Sequence, residues 1–265
     1  MVPGRTKTAL ITDASSGIGA AFVRKFAEMN YQLILVARRH QRMAELAADV
    51  RDHFGVNAEV MVADLSNADQ IRCVVERIRE RKDLEILVNC AGFGIPGKFL
   101  EVSLEQWLSM IEVHILATVT LTQAALPGMV ERHQGAVINL SSIGAYIRGP
   151  SDTIYCATKS FLNAFSVSLA SELSGTGVQV QALRPGFTRT EFHSRPEYAR
   201  MRIQEMIPHF LWMSPENVVE ISLRDLEKGR AISIPGRLNR IMIGLARSRL
   251  AAPLWVKLVS RPQGR

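Results

Sequence analysis

The sequence predicts an α/β fold: one doubly wound domain with a parallel sheet and helices on both faces. Three observations predict it. Short, near-continuous apolar runs alternate with longer amphipathic segments, as expected of parallel strands covered on both sides. No repeat, linker or low-complexity stretch divides the 265 residues, so a single domain over 1–265 is the economical reading. Finally, glycines, charges and hydroxyls fall just after the apolar runs, at the strand ends where such sheets bind ligands.

Residues 8–12 (Thr-Ala-Leu-Ile-Thr) read as a buried strand and 20–29 as a helix. A second strand at 32–37 leads to a helix at 41–54, and a third at 59–62 to a helix capped by Ser66. The fourth strand, 85–89, precedes a long helix over 104–131; the fifth, 136–140, precedes a helix over 155–173. A sixth strand covers 178–183. Ser214-Pro215-Glu216 opens a helix well, because serine caps an N-terminus and proline suits the first helical position. Residues 231–234 form a short last strand.

The net charge of +7 favours anionic ligands. Without a recognition motif or a basic block interleaved with aromatics, no nucleic-acid partner is expected. No uninterrupted apolar run reaches the roughly 18 residues of a membrane span. The polar start does not resemble a secretory signal. Cys73, Cys90 and Cys156 have neither paired nor metal-type spacing and read as reduced, which points to the cytoplasm. His40, His53, His133, His193 and His209 share no metal-type spacing either, so packing or surface roles and no metal are expected.

The chemistry centres on Tyr155 and Lys159, one helical turn apart and on one face, with Ser142 upstream. A lysine ammonium favours the phenolate and lowers a phenol pKa that is ordinarily ~10, which suits a general acid or base. Ser142 could hold a carbonyl oxygen. This equipment moves a proton; a hydride requires a cofactor. The loop Thr12-Asp-Ala-Ser-Ser-Gly-Ile-Gly19 offers backbone N–H groups to a pyrophosphate at a helix N-terminus, although such a loop alone is also an ordinary βα turn. Arg38 and Arg39 follow the second strand, where an acidic residue would bind the ribose of NAD; two guanidinium groups instead suit a 2′-phosphate. NADP(H) is therefore the expected cofactor and Arg38 the favoured contact, the alternative being solvated surface charge. Asp64 follows the third strand as a cofactor contact or a helix cap.

Taken together these pieces resemble the short-chain dehydrogenase/reductase family, over residues 8–190. The resemblance rests on the glycine loop (Thr12, Asp13, Ser15, Ser16, Gly17, Ile18, Gly19), the turn Asn89-Cys90-Ala91-Gly92, the set Ser142, Tyr155 and Lys159, and the segment from Pro185 and Gly186 through Thr188 to Thr190. It implies a Rossmann-like fold and NAD(P)-dependent interconversion of an alcohol and a carbonyl. It also implies that Asp64 and Leu65 lie at the adenine, that Asn89, Ala91 and Gly92 form the cofactor floor, and that Pro185, Gly186, Thr188 and Thr190 meet the nicotinamide end. Lys159 would also hold the nicotinamide ribose, and a homodimer or homotetramer is implied.

Two positions depart from the family pattern. Asp13 replaces the first loop glycine, placing a carboxylate near an anionic cofactor. His114 stands where an asparagine helps to place a water on the catalytic lysine, and it joins the catalytic set on that ground. Tolerated substitutions in an active enzyme are the favoured reading; a cofactor-binding protein with little turnover is the alternative. Methyl transfer would leave Tyr155 and Lys159 without a purpose.

Residues 190–213, with Phe192, Tyr198, Met201, Met206, Phe210, Leu211, Trp212 and Met213, are by resemblance a mobile substrate lid. Apolar, methionine-bearing surfaces adapt to varied ligands, so a bulky, fairly apolar substrate is expected, with helix packing or a subunit contact as alternatives. A C-terminal extension over 236–265 mixes apolar and basic residues and admits contact with a membrane surface, the domain or a partner subunit.

Overall fold

A computed structural model of the chain describes residues 7–146, 151–194 and 207–247. Seven strands form one sheet: β1 (Thr8–Thr12), β2 (Gln32–Ala37), β3 (Ala58–Val62), β4 (Leu84–Asn89), β5 (Gly135–Leu140), β6 (Val178–Leu183) and β7 (Ile232–Ser233). Their order is β3-β2-β1-β4-β5-β6-β7, and every pairing is parallel. The chain runs outward from β1 to β3 and then returns to β4 on the other side of β1. This reversal opens a crevice at the carboxyl ends of β1 and β4.

Helices α1 (Gly17–Glu28), α2 (His40–Phe54) and α7 (Pro215–Glu227) cover one face, while α3 (Ala68–Glu80) and α5 (Ala117–Glu131) cover the other. Successive strand residues point to opposite faces, and the burial follows. Ala9, Ile11, Leu33 and Leu35 pack with Phe22, Phe26 and Val218. Leu10, Ile34 and Val36 pack with Val74, Leu121 and Met129. The continuous apolar character of these strands thus reflects burial on both sides. Helix α6 (Thr153–Glu172) closes the sheet near β5 and β6, and α8 (Arg237–Arg247) follows β7.

All seven expected strands are present. The differences lie at helix ends and in one helix interior. Helix α1 begins at Gly17 rather than 20, because the glycine loop runs directly into it. The cap of α3 is Asn67, not Ser66: the Asn67 side chain accepts from the Asp69 and Gln70 N–H groups, while Ser66 donates to Asp64. The expected helix over 104–131 divides into α4 (Leu104–Ile111), a π-helical turn Glu112–Leu116, and α5. Leu104–Glu131 is long and apolar enough by length and composition to cross a membrane; here Leu121, Ala125 and Met129 lie buried against the sheet. In α8, Ile243 is buried while Leu238, Ile241 and Leu245 are exposed. The expectations for Tyr198, Met201 and Met206, and for 248–265, lie outside the described residues.

Candidate active site

The floor of the crevice is stitched by buried polar side chains. The Thr12 hydroxyl at the end of β1 accepts from the Cys90 and Ala91 N–H groups, both at 2.9 Å. Asn89 at the end of β4 donates its amide to Thr122 (3.1 Å) and to the Asn139 carbonyl oxygen (2.8 Å); Asn139 in turn donates to Ser166. The Asn89 amide therefore ties strands and helices together, and its contribution to the crevice is the position of the turn that follows.

Glycines mark the close approaches. Gly17 has φ +55°, and a Cβ there would lie 3.0 Å from the Thr190 methyl. A Cβ on Gly19 would collide with the Asp13 carbonyl oxygen at 2.2 Å. Asp13 itself has φ 52°, a left-handed conformation that aspartate tolerates better than most residues; this is how the loop keeps its course without its first glycine. At α1 the N-cap residue, Ser16, makes no side-chain cap bond, and the first turn holds no acidic residue. The N–H groups of that turn, with the positive end of the helix dipole, are the donor set that a pyrophosphate needs. The residues present thus fit a dinucleotide.

The charges beside this loop divide their work. Arg39 donates to Ser15 Oγ (2.9 Å) and Ser16 Oγ (2.7 Å). Arg38 lies 3.8 Å from Asp64 and is 67% exposed. Asp64 is pushed up by burial, but the Ser66 N–H and hydroxyl, together with Arg38, hold it below the usual carboxylate range. Asp64 thereby closes the turn ahead of α3, with Leu65 buried beside it.

Across the crevice, Ser142, Tyr155 and Lys159 come together. Ser142 follows β5, its hydroxyl accepts from the Gly144 N–H at 3.0 Å, and a Cβ on Gly144 would stand 3.3 Å from both that Oγ and the Tyr155 ring. Lys159 is 3% exposed, donates to the Leu140 carbonyl at 2.8 Å, and has its Nζ 5.7 Å from the centre of the Tyr155 ring. A Cβ on Gly92 would stand 3.2 Å from that Nζ and 3.0 Å from His114 Nε2, so only glycine leaves this corner open. Burial pushes the Tyr155 phenol up to about 12 and the Lys159 ammonium down to about 8. The expected lowering of the phenol is therefore reversed: in so dry a corner, loss of hydration outweighs the effect of the nearby ammonium.

His114 sits in the π-helical turn, a feature frequent at functional sites, and is fully buried. Its Nε2 accepts from the Phe93 N–H at 3.0 Å, which requires the proton to reside on Nδ1. Nδ1 is 2.8 Å from the Thr158 hydroxyl, and that hydroxyl donates to the Tyr155 carbonyl at 2.9 Å. Burial, and then the charge of Lys159, hold His114 well below the ordinary imidazole range, so it is neutral. Both ring nitrogens are spent on positioning: the imidazole ties the turn after β4 to the helix that carries Tyr155.

The segment after β6 forms the remaining wall. The Pro185 carbonyl accepts from the Ile143 N–H at 3.0 Å, and the Thr188 hydroxyl donates to the Gly186 carbonyl at 3.0 Å. A Cβ on Gly186 would meet Asn239 at 2.4 Å. Phe192 lies 6.0 Å from the Tyr155 ring and packs on His193, whose ring in turn meets Phe187 and Trp212. Phe93, Thr158, Arg42 and Glu191 join the site without having been anticipated from sequence. No local spacing announces them, because their partners lie in distant segments.

Comparison with known proteins agrees with this geometry. A family model for short chain dehydrogenase matches residues 7–199. An uncharacterized oxidoreductase of Staphylococcus epidermidis is 32% identical over 235 residues, covering 84% of this chain and 99% of that protein. Among solved structures, a short-chain dehydrogenase from Sphingobium yanoikuyae in complex with NADPH is 32% identical, with a TM-score of 0.81 and 98% of each chain covered. The bulky-bulky ketone specific alcohol dehydrogenase from Comamonas testosteroni is 28% identical, with a TM-score of 0.79 and coverage of 99% of this chain and 98% of that one.

Proposed function

The chain belongs to the short chain dehydrogenase family, and from that premise we propose that it is an NADP(H)-dependent oxidoreductase interconverting a bulky, fairly apolar ketone and its alcohol. The observation that carries the proposal is the convergence of Ser142, Tyr155 and Lys159 in a dry corner beside a phosphate-binding loop. The Phe187, Phe192 and Trp212 wall supports the apolar substrate. Likeness to an enzyme specific for bulky ketones, and to one holding NADPH, supports both halves.

For the cofactor, the N–H groups of residues 17–19 would receive the pyrophosphate and Arg39, with Arg38, the 2′-phosphate. Asp64 and Leu65 would lie at the adenine, Asn89, Ala91 and Gly92 beneath it, and Pro185, Gly186, Thr188 and Thr190 at the nicotinamide. When bound, NADP(H) supplies or accepts the hydride, work no side chain does.

In the direction of reduction, the Ser142 hydroxyl donates to the substrate carbonyl oxygen and fixes its approach. Tyr155, with its pKa pushed up to about 12, holds its proton at working pH and delivers it to that oxygen as negative charge develops there. Lys159 stands ready to stabilise the phenolate left behind. His114 keeps the Tyr155 helix and the Gly92 turn in register without itself exchanging a proton. The reading includes one domain over the chain, a lid over 190–213, a homodimer or homotetramer and a cytoplasmic location; exposed Leu104, Leu108 and Leu116 support self-association. Exposed Leu238, Ile241 and Leu245 support a contact of the C-terminal segment with a membrane surface or another subunit.

The test is a panel of ketones of increasing bulk, followed by NADPH absorbance, with Tyr155→Phe as control. Turnover of bulky aryl or alicyclic ketones that disappears in the control is expected. Turnover unaffected by that substitution would remove Tyr155 from its role.

A further inference from the structure

The segment after β6 reaches back across the glycine loop through one side chain. Glu191 Oε2 accepts from Arg39 Nη1 at 2.8 Å, and Glu191 Oε1 accepts from Arg42 Nη1. Arg39 also binds the hydroxyls of Ser15 and Ser16. Two guanidinium groups from the start of α2 thus hold one carboxylate, brought from 152 residues away, and the hydroxyls of the β1–α1 loop fix the far side of Arg39. Hydrogen bonds from Arg39 and then Arg42 hold that carboxylate below its ordinary range, so it is ionised. This donor set is also what a phosphate monoester would require.

We propose that Glu191 is a specificity-determining residue of the cofactor site, an internal anion that the 2′-phosphate of NADP(H) must displace. The proposal rests on the NADP(H) reading given above. A dinucleotide without that phosphate leaves the Glu191 contacts in place. One with it places about two negative charges against the same cations, and Glu191 then meets repulsion instead of attraction. The Glu191 side chain is 49% exposed, so water screens its ion pairs and leaves them exchangeable. A cavity of about 1000 Å³, bordered by Arg24, Arg42, Glu191 and Trp212, gives the displaced carboxylate room beside other cations. Phe192 is the next residue and its ring faces Tyr155, so displacement shifts a wall of the substrate site. Glu191 therefore narrows the preference for NADPH over NADH and couples the phosphate to the Phe192 wall beside Tyr155.

The experiment measures cofactor binding by nucleotide fluorescence at low salt, without turnover, in the wild type, Glu191→Gln and Arg39→Ala. Glu191→Gln is expected to tighten NADPH by about threefold to tenfold while changing NADH by less than about twofold. Weaker NADPH binding, or an equal change in both cofactors, would make Glu191 a structural clamp and overturn the proposal. Wild-type preference for NADH, unmoved by Arg39→Ala, would overturn the NADP(H) reading and this inference with it. Wild-type preference for NADPH with an unmoved ratio in Glu191→Gln would overturn the inference alone. A second readout needs no variant: adenosine 2′-monophosphate should speed hydrogen exchange in residues 187–194, and adenosine 5′-monophosphate should not. Protection or no change with the 2′-nucleotide counts against the displacement.

Discussion

The two ends of the crevice hold similar charged groups under opposite conditions. At the catalytic corner, Lys159 is 3% exposed and His114 fully buried; at the phosphate edge, the Arg38 and Arg39 side chains are 67% and 40% exposed. In the corner, loss of hydration decides each protonation state: Lys159 falls to about 8, Tyr155 rises to about 12, and His114 stays neutral. At the edge, partners decide, and Asp64 and Glu191 remain ionised beside arginines. A dry corner fixes one arrangement and one set of proton states. A wet edge holds its charges in exchangeable pairs, which is what the proposed entry of a ligand's own anion there would require.

The contrast predicts large losses in the corner and graded ones at the edge. Tyr155→Phe should lower kcat by about 10³-fold while cofactor affinity, read by fluorescence titration, changes little; parallel losses in both would make Tyr155 a binding residue only. Arg39→Ala removes charge-assisted bonds and should weaken NADPH by about tenfold to a hundredfold. Arg38→Ala, although Arg38 is the contact favoured from the sequence, should cost less, because it is Arg39 that reaches the Ser15 and Ser16 hydroxyls of the glycine loop; the reverse order in the same titration would assign the phosphate to Arg38.

His114→Ala leaves the Phe93 N–H and the Thr158 hydroxyl without the imidazole, so denaturant unfolding should show a loss of about 2–4 kcal/mol. His114→Asn should recover part of it. A loss below about 0.5 kcal/mol, the range of ordinary surface substitutions, would show that the turn does not depend on the ring.

The smallest effect is the pH response. Lys159 loses its proton as pH rises through about 8, removing the charge proposed to stabilise the Tyr155 phenolate, while Tyr155 stays protonated toward about 12. The kcat/KM for reduction should therefore be flat below pH 7.5 and fall by up to about tenfold per pH unit above 8. A profile flat to pH 9.5 would show that the ammonium charge is not needed. Stability has the opposite sign. Lys159 binds fewer protons folded than unfolded between about 8 and 10.5, so its contribution to stability rises with pH across that window.

Much of this could be read along the chain. The seven strands were legible because burial on both faces writes a near-continuous apolar run, and the glycine loop because its close approaches exclude a Cβ. Tyr155 and Lys159 were legible because a helix brings residues four apart onto one face. The π-helical turn was not, since Glu112–Leu116 has the composition of ordinary helix and the hydrogen-bond partners of His114, Phe93 and Thr158, lie 21 and 44 residues away in the chain. The cap at Asn67 rather than Ser66 turned on a choice between adjacent polar residues that local chemistry leaves balanced.

By itself, then, the sequence determined the parallel sheet, the glycine-rich loop after β1 and the pairing of Tyr155 with Lys159 on one helix face, because periodicity and short spacings are local properties. The tertiary structure decided the state of those groups. Whether Tyr155 is lowered or raised, whether His114 carries charge, and whether Arg39 meets Glu191 all depend on segments far apart in the chain. The physical reason is that hydration and charge pairing are set by whatever folds against a residue, and neither is written in its neighbours.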